Sequence, residues 1–169
     1  MHKLCERYLK NEQIDAPMPS AEEDKDFANV GKGDWTAGQL MFGHIKPALD
    51  RCDNVRLLEK ALYSHKLKVA GTVDCVAEID GKLAIIDFKT SRRPKKKEHI
   101  DDYFMQGCFY FWAYYEITGE MPDQITILIS VQDGTLLEYT IKGKEIIYWT
   151  EELKKRIDTF YYNKENYGI

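Results

Sequence analysis

The dipeptide Asp80-Gly81 sits between two runs of β-forming residues, 70–79 before it and 82–89 after it. Asp-Gly in this setting is a strong local signal for a two-residue hairpin turn of type I′. The turn fixes a register in which Ile79 faces Lys82, Val76 faces Ile85 and Asp74 faces Asp87. Facing side chains of such a pair have Cβ atoms roughly 4.5–5.5 Å apart, and like charges so placed repel. Thr72, Asp74, Val76 and Glu78 are expected on one face, with Leu83, Ile85, Asp87 and Lys89 on the matching face. Asp87 also follows the apolar run Ala84-Ile85-Ile86, which reads as a central strand covered on both sides. A carboxylate there is costly unless it is paired or binds a metal. Two readings stand: a strand-end ion pair with Lys89, or a divalent cation shared by Asp74 and Asp87.

The remaining chain supports an ordinary globular frame for this hairpin. With 169 residues, 44% apolar and 31% charged, it is expected to form a single domain over residues 1–169, burying about 68–70% of its extended surface. No apolar run approaches the 18 or so residues of a membrane span, and the polar start is not a signal peptide. No membrane partner is expected. The expected setting is intracellular: the cytoplasm of a bacterial or phage-infected cell, or a nucleic-acid-containing organelle. Cys5, Cys52, Cys75 and Cys108 form no CxxC pair, which fits reduced, free thiols.

Residues 1–10 have helical spacing, with Leu4, Tyr8 and Leu9 near one face. Residues 11–33 read as an irregular connection. A second helix is expected from Asp34 as N-cap through Leu49, with Pro47 kinking or ending it. Three strands follow, at 55–63, 67–79 and 83–89, the first two joined by a hairpin connection at 64–67. A basic loop at 90–97 leads into a helix over 98–118 closed by Gly119. Strands 125–131 and 136–141 flank Asp133-Gly134, and an amphipathic helix runs from 144 to about 162. The order ααβββαββα predicts an α/β fold with a mixed sheet flanked by helices.

Candidate chemistry gathers around the central hairpin. Centring the preceding hairpin on His65-Lys66 places Glu59 opposite Thr72 and diagonal to Asp74, as a third acid or a solvated edge residue. Hard oxygen ligands suit Mg²⁺ or Mn²⁺. Such an ion polarises phosphate and acidifies water, while Lys89 can orient that water and stabilise developing charge. Asp74, Asp87, Lys89 and Glu59 are therefore the candidate catalytic residues for phosphodiester hydrolysis.

The formal net charge of −4 weighs on average against a nucleic-acid partner. Local distribution matters more. Five of the six positions 92–97 are basic, and acids concentrate elsewhere, as at Glu22-Glu23-Asp24 and Asp101-Asp102. Directly after Lys89, the basic run is either a lip contacting phosphates or a solvated loop. The following helix is aromatic almost all round, mostly as core, with Tyr110 or Tyr103 placed to stack on single-stranded bases. No Walker loop is present, so no ATPase activity is expected.

Gly71-Thr72-Val73-Asp74, a spacer of twelve residues, and Asp87-Phe88-Lys89-Thr90-Ser91 resemble the core of the PD-(D/E)xK nuclease superfamily. Gln106 and Tyr110, at Q-x3-Y spacing, resemble a further motif of its RecB-like branch. Within that branch the runs G-x-x-D-C-V-A-E and I-D-x-K-T-S are similar to those of mitochondrial genome maintenance and related phage exonucleases. The likeness is strongest from about Glu59 to Tyr110.

The resemblance implies a restriction-endonuclease-like mixed β-sheet flanked by α-helices. It implies Asp74, Asp87 and the Phe88 carbonyl as metal ligands and Lys89 as the catalytic lysine. Met1-His2-Lys3-Leu4-Cys5 is similar to an early helix that carries a ligating histidine, which implies His2 as a further ligand. Gln106 and Tyr110 would hold DNA or the edge of the site, with Ser91, Arg92, Arg93, Lys95 and Lys96 as DNA contacts. Some RecB-like relatives carry an iron–sulfur cluster on cysteines near the C-terminus. None follows Cys108, so no cluster is expected. The family normally has a further stretch before this histidine, and the resemblance implies either a trimmed relative or a domain whose upstream part is missing. The implied activity is a Mg²⁺- or Mn²⁺-dependent deoxyribonuclease, an exonuclease on single strands or DNA ends. A structure-selective endonuclease and a weakly active or inactive DNA-binding recombination module remain as alternatives.

Overall fold

Asp80 and Gly81 both take positive φ, 51° and 72°, as a type I′ turn requires. In the computed structural model, which describes residues 1–14 and 36–168, this turn joins two inner strands of a five-stranded sheet. The elements are α1 (His2–Leu9), α2 (Ala37–Leu49), β1 (Cys52–Ser64), β2 (Val69–Ile79) and β3 (Lys82–Ser91). A 3-10 turn at Lys97–His99 leads into α3 (Asp101–Thr118), followed by β4 (Gln124–Val131), β5 (Leu136–Lys142) and α4 (Lys144–Tyr167). The strands lie in the order β1-β2-β3-β4-β5. All neighbours are antiparallel except β3 and β4. A parallel pair needs a long crossover, and α3 supplies it. The fold is the α/β architecture with a mixed sheet that the sequence predicts.

Apolar layers cover both faces of this sheet. On one side α3 and α4 pack over Val76, Ile85, Ile125, Ile127 and Ile129. On the other, α1 and α2 pack over Cys75, Ala77, Ala84, Ile86, Phe88 and Leu128. β3 is therefore buried from Leu83 to Phe88, which is what its unbroken apolar run anticipates. Among the described residues no helix is long and apolar enough to cross a membrane.

Two expectations for α2 are revised, its N-cap residue and an end at Pro47. Asp34 and most of the connection at 11–33 lie outside the described residues. Thr36 is the N-cap of α2, in a capping box with Gln39, which satisfies backbone donors at both positions. The helix runs through Pro47 and stops at Leu49, so the proline sits in the last turn.

The register of β1 on β2 corrects a third expectation. The connection is four residues long, with Ser64 paired to Val69, and Thr72 faces Ala61 instead of Glu59. Glu59 falls between the pairs Leu58–Cys75 and Lys60–Val73, opposite Asp74. Its φ is 46°, in the left-handed region that a non-glycine residue rarely visits. At this kink the alternation of both strands reverses. Leu57 and Val76 face α3, as do Leu62 and Val73, although the intervals between them are odd. Thr72 is consequently exposed while Val73 is buried. Thr72 does not share a core face with Val76.

Candidate active site

The reversal at Glu59 and Asp74 opens the sheet where β2 and β3 part. Their backbone ladder ends at Cys75–Ile86. Beyond it the Asp74 carboxylate takes over from the backbone, accepting the Phe88 N–H on Oδ2 at 2.7 Å. His2 arrives from the other side of the sheet on α1, which Leu4, Cys5 and Tyr8 anchor to the apolar layer. Its Nε2 meets the Phe88 carbonyl in a short contact and lies 3.8 Å from Asp74 Oδ2. The ring is half-exposed. Three of the residues assigned to the metal from the sequence, His2, Asp74 and Phe88, are thus brought together by α1, β2 and β3.

Asp87, one residue before Phe88, points toward α3. It is 2% exposed, and Lys89 Nζ stands 2.7 Å from its Oδ2. Beyond that ion pair, Oδ2 has no further partner among the described residues. Burial pushes the Asp87 carboxyl up to about 6, with Lys89 pulling it down and the Asp74 carboxylate adding to the rise. The strand-end ion pair read from the sequence is therefore present, but it leaves a buried carboxylate only partly compensated.

Lys89 is held by a helix. Its Nζ donates to Gln106 Oε1 at 2.9 Å, and Gln106 Nε2 donates to the Tyr110 hydroxyl at 3.1 Å. Two glycines allow α3 to come this close. A Cβ on Gly71 would lie 3.2 Å from the Tyr110 hydroxyl, and one on Gly107 only 2.4 Å from Ile125 Cγ2. The Tyr110 ring is 4% exposed. It offers no face to a base, and only its hydroxyl reaches the site, through Gln106.

Glu59 is half-buried, and burial followed by the nearby Asp74 carboxylate raises its pKa. The basic loop is less uniform than its sequence. Ser91 donates its hydroxyl to the Arg93 carbonyl at 2.6 Å. Arg92, Arg93 and Lys96 are exposed, while Lys95 is half-buried. Tyr103, three residues before Gln106 and so on the same helix face, lies beneath both Lys89 and Lys95. This residue is placed differently from the base-stacking expectation; its spacing from Gln106 is the signal that marks it.

Do these groups suit a hard divalent cation? Among the described residues no three His, Cys, Asp or Glu side chains form a ready-made cluster. The set becomes coherent only when the Phe88 carbonyl is counted with His2, Asp74 and Asp87. The buried Asp87 Oδ2, paired with Lys89 Nζ at 2.7 Å while burial still raises its pKa, is a site for further positive charge. Oxygen donors dominate, with one imidazole, as suits Mg²⁺ or Mn²⁺. His2 would ligate through an Nε2 that carries no proton. The donor set fits.

A mixed sheet bearing these residues matches a known class. The family model of the PD-(D/E)XK nuclease superfamily matches residues 2–163, and the chain belongs to that superfamily. Among individual proteins it is 31% identical over 131 residues to mitochondrial genome maintenance exonuclease 1 of Homo sapiens, covering 74% of this chain and 38% of that protein. The Mus musculus counterpart is 47% identical over 51 residues, covering 30% of this chain and 15% of that one. The chain thus spans well under half the length of these relatives. A solved Eubacterium rectale protein described as a candidate exonuclease superposes with a TM-score of 0.54 at 12% identity, over 92% of this chain and 64% of that chain. That likeness concerns the fold.

Proposed function

We propose that this protein is a metal-dependent deoxyribonuclease, an exonuclease hydrolysing phosphodiester bonds in single-stranded DNA or at DNA ends. The observation that carries the reading is the buried Asp87 carboxylate, whose pKa stays raised although Lys89 Nζ stands 2.7 Å away at the end of β3. His2, Asp74, Asp87 and the Phe88 carbonyl would hold Mg²⁺ or Mn²⁺. When bound, that ion supplies Lewis acidity, polarising a phosphoryl oxygen and making water a stronger acid.

The protein's own groups do the rest. Lys89, fixed by Gln106, orients the attacking water and stabilises charge that develops on the phosphoryl oxygens. Glu59, opposite Asp74, is the third acid and accepts a proton as water is consumed. Attack by water breaks the P–O bond directly, with no covalent enzyme intermediate. Arg92, Arg93, Lys95 and Lys96 line the exit of β3 and give the phosphate backbone a basic lip despite the negative total charge. Four free thiols accord with an intracellular place of action.

The test uses end-labelled linear and closed circular single strands with Mg²⁺ or Mn²⁺, with and without a chelator. Metal-dependent cutting of linear strands alone supports the proposal. Cutting of circles would replace it with an endonuclease, and binding without cutting would replace it with an accessory module.

A further inference from the structure

Lys95 differs from its basic neighbours in what it faces. Lys97 Nζ is 2.5 Å from the Glu145 carboxylate, and Lys96 is 3.8 Å from Glu98. Lys95 Nζ instead donates to the neutral Tyr103 hydroxyl at 2.8 Å. An ammonium has three donors, so a phenol oxygen leaves two of them and the full positive charge for another acceptor. The backbone is fixed as well, because the Tyr139 hydroxyl of β5 donates to the Lys95 carbonyl at 2.5 Å. Tyr103 is half-buried on α3, one turn before Gln106.

The same ring carries Lys89. Lys89 Nζ lies 5.1 Å from the Tyr103 centroid and Lys95 Nζ 4.9 Å from it. Both distances are within the reach of cation–π attraction. The two ammonium groups are therefore tied to one ring and no more than about 10 Å apart. The separation of two successive phosphates of one strand falls within that limit.

We propose that Lys95, mounted on Tyr103, is a second phosphate subsite, occupied by the phosphate next to the scissile one. Tyr103 is a positioning residue that sets the span between this subsite and Lys89. The inference rests on the nuclease reading for which phosphate Lys89 addresses, but binding at Lys95 does not require cleavage.

The experiment measures binding of a fluorescent single-stranded oligonucleotide by the full chain without divalent metal, across a salt series. Variants are Lys95→Ala, Tyr103→Leu and the double variant. One lost phosphate contact lowers the salt slope on a single strand by about 0.7. Each single variant is expected to show that loss, and the double variant no more than either. An unchanged slope in Lys95→Ala, or additive losses in the double variant, overturns the proposal. Tyr103→Phe keeps the ring and removes only the hydroxyl. With metal, it is expected to raise KM for the oligonucleotide by a larger factor than it changes kcat, and an unchanged KM counts against the subsite. If the wild-type chain binds strands with the expected slopes and cuts nothing, the nuclease reading fails and the subsite stands.

Discussion

Gln106 Oε1 accepts a hydrogen bond from Lys89 Nζ at 2.9 Å, tying the middle of α3 to the end of β3. The bond continues a chain from the Tyr110 hydroxyl through the Gln106 amide and ends at the Asp87 carboxylate. A lysine has considerable side-chain freedom; this chain removes most of it at the point where phosphate chemistry would occur. Gln106→Ala is therefore expected to lower kcat about tenfold or more with little change in KM. Steady-state kinetics on a linear single strand would check this, and an unchanged kcat would leave Gln106 without its positioning role.

Lys89→Ala should remove cleavage, by at least about 100-fold. The Lys89 side chain is 20% exposed and pairs with the buried Asp87, so the variant should also unfold at a lower temperature at neutral pH while remaining cooperative. Retained turnover in a folded variant would exclude the role assigned to this residue.

Asp87 carries a stability consequence whose sign can be worked out. Burial raises its pKa to about 6 from an ordinary 3.8. The metal-free folded protein therefore holds that proton more tightly than the unfolded chain. Stability from this group is highest below about pH 4 and is lost as pH rises through about 6, a cost of about 3 kcal/mol when complete. Asp87→Asn should abolish Mn²⁺ binding and stabilise the metal-free protein at pH 7–8, with the gain vanishing in acid. Chemical denaturation across pH and a calorimetric Mn²⁺ titration read both effects. Wild-type Mn²⁺ affinity in the variant would contradict the ligand assignment.

Gly107 is where α3 touches β4. A methyl group there would stand 2.4 Å from Ile125 Cγ2, and a β-branched side chain in a packed core has little room to turn. Gly107→Ala should cost about 1–3 kcal/mol despite alanine's better helix propensity. It should also lower kcat by moving Gln106 away from Lys89. A more stable variant with full activity would show that the close approach is unimportant.

The part of the site that could be read from the sequence is the part written in local chemistry. Asp80-Gly81 encodes its own turn, so the pairing of Ile79 with Lys82 and Val76 with Ile85 follows from two residues. The β1–β2 connection has no such code. His65 and Lys66 impose no φ, and the chain closes over four residues at Lys68, whose φ is 54°. That choice moved Glu59 by two positions, from Thr72 to Asp74. Tyr103 is visible as an aromatic residue on the right face, but nothing in its spacing says that Lys89 of β3 and Lys95 of the following loop will both settle against it.

By itself, then, the sequence determined the order of elements, the central hairpin and the placement of Asp87 and Lys89 on one strand. Turn type and strand period act over a few residues and need no distant partner. Only the tertiary structure decided that His2, Asp74 and the Phe88 carbonyl meet, that Glu59 stands opposite Asp74, and that Gln106 holds Lys89. Those contacts depend on how closely α1 and α3 settle on the sheet. Packing against Gly71, Gly107 and the two apolar layers sets that approach, and it is a property of many residues acting together.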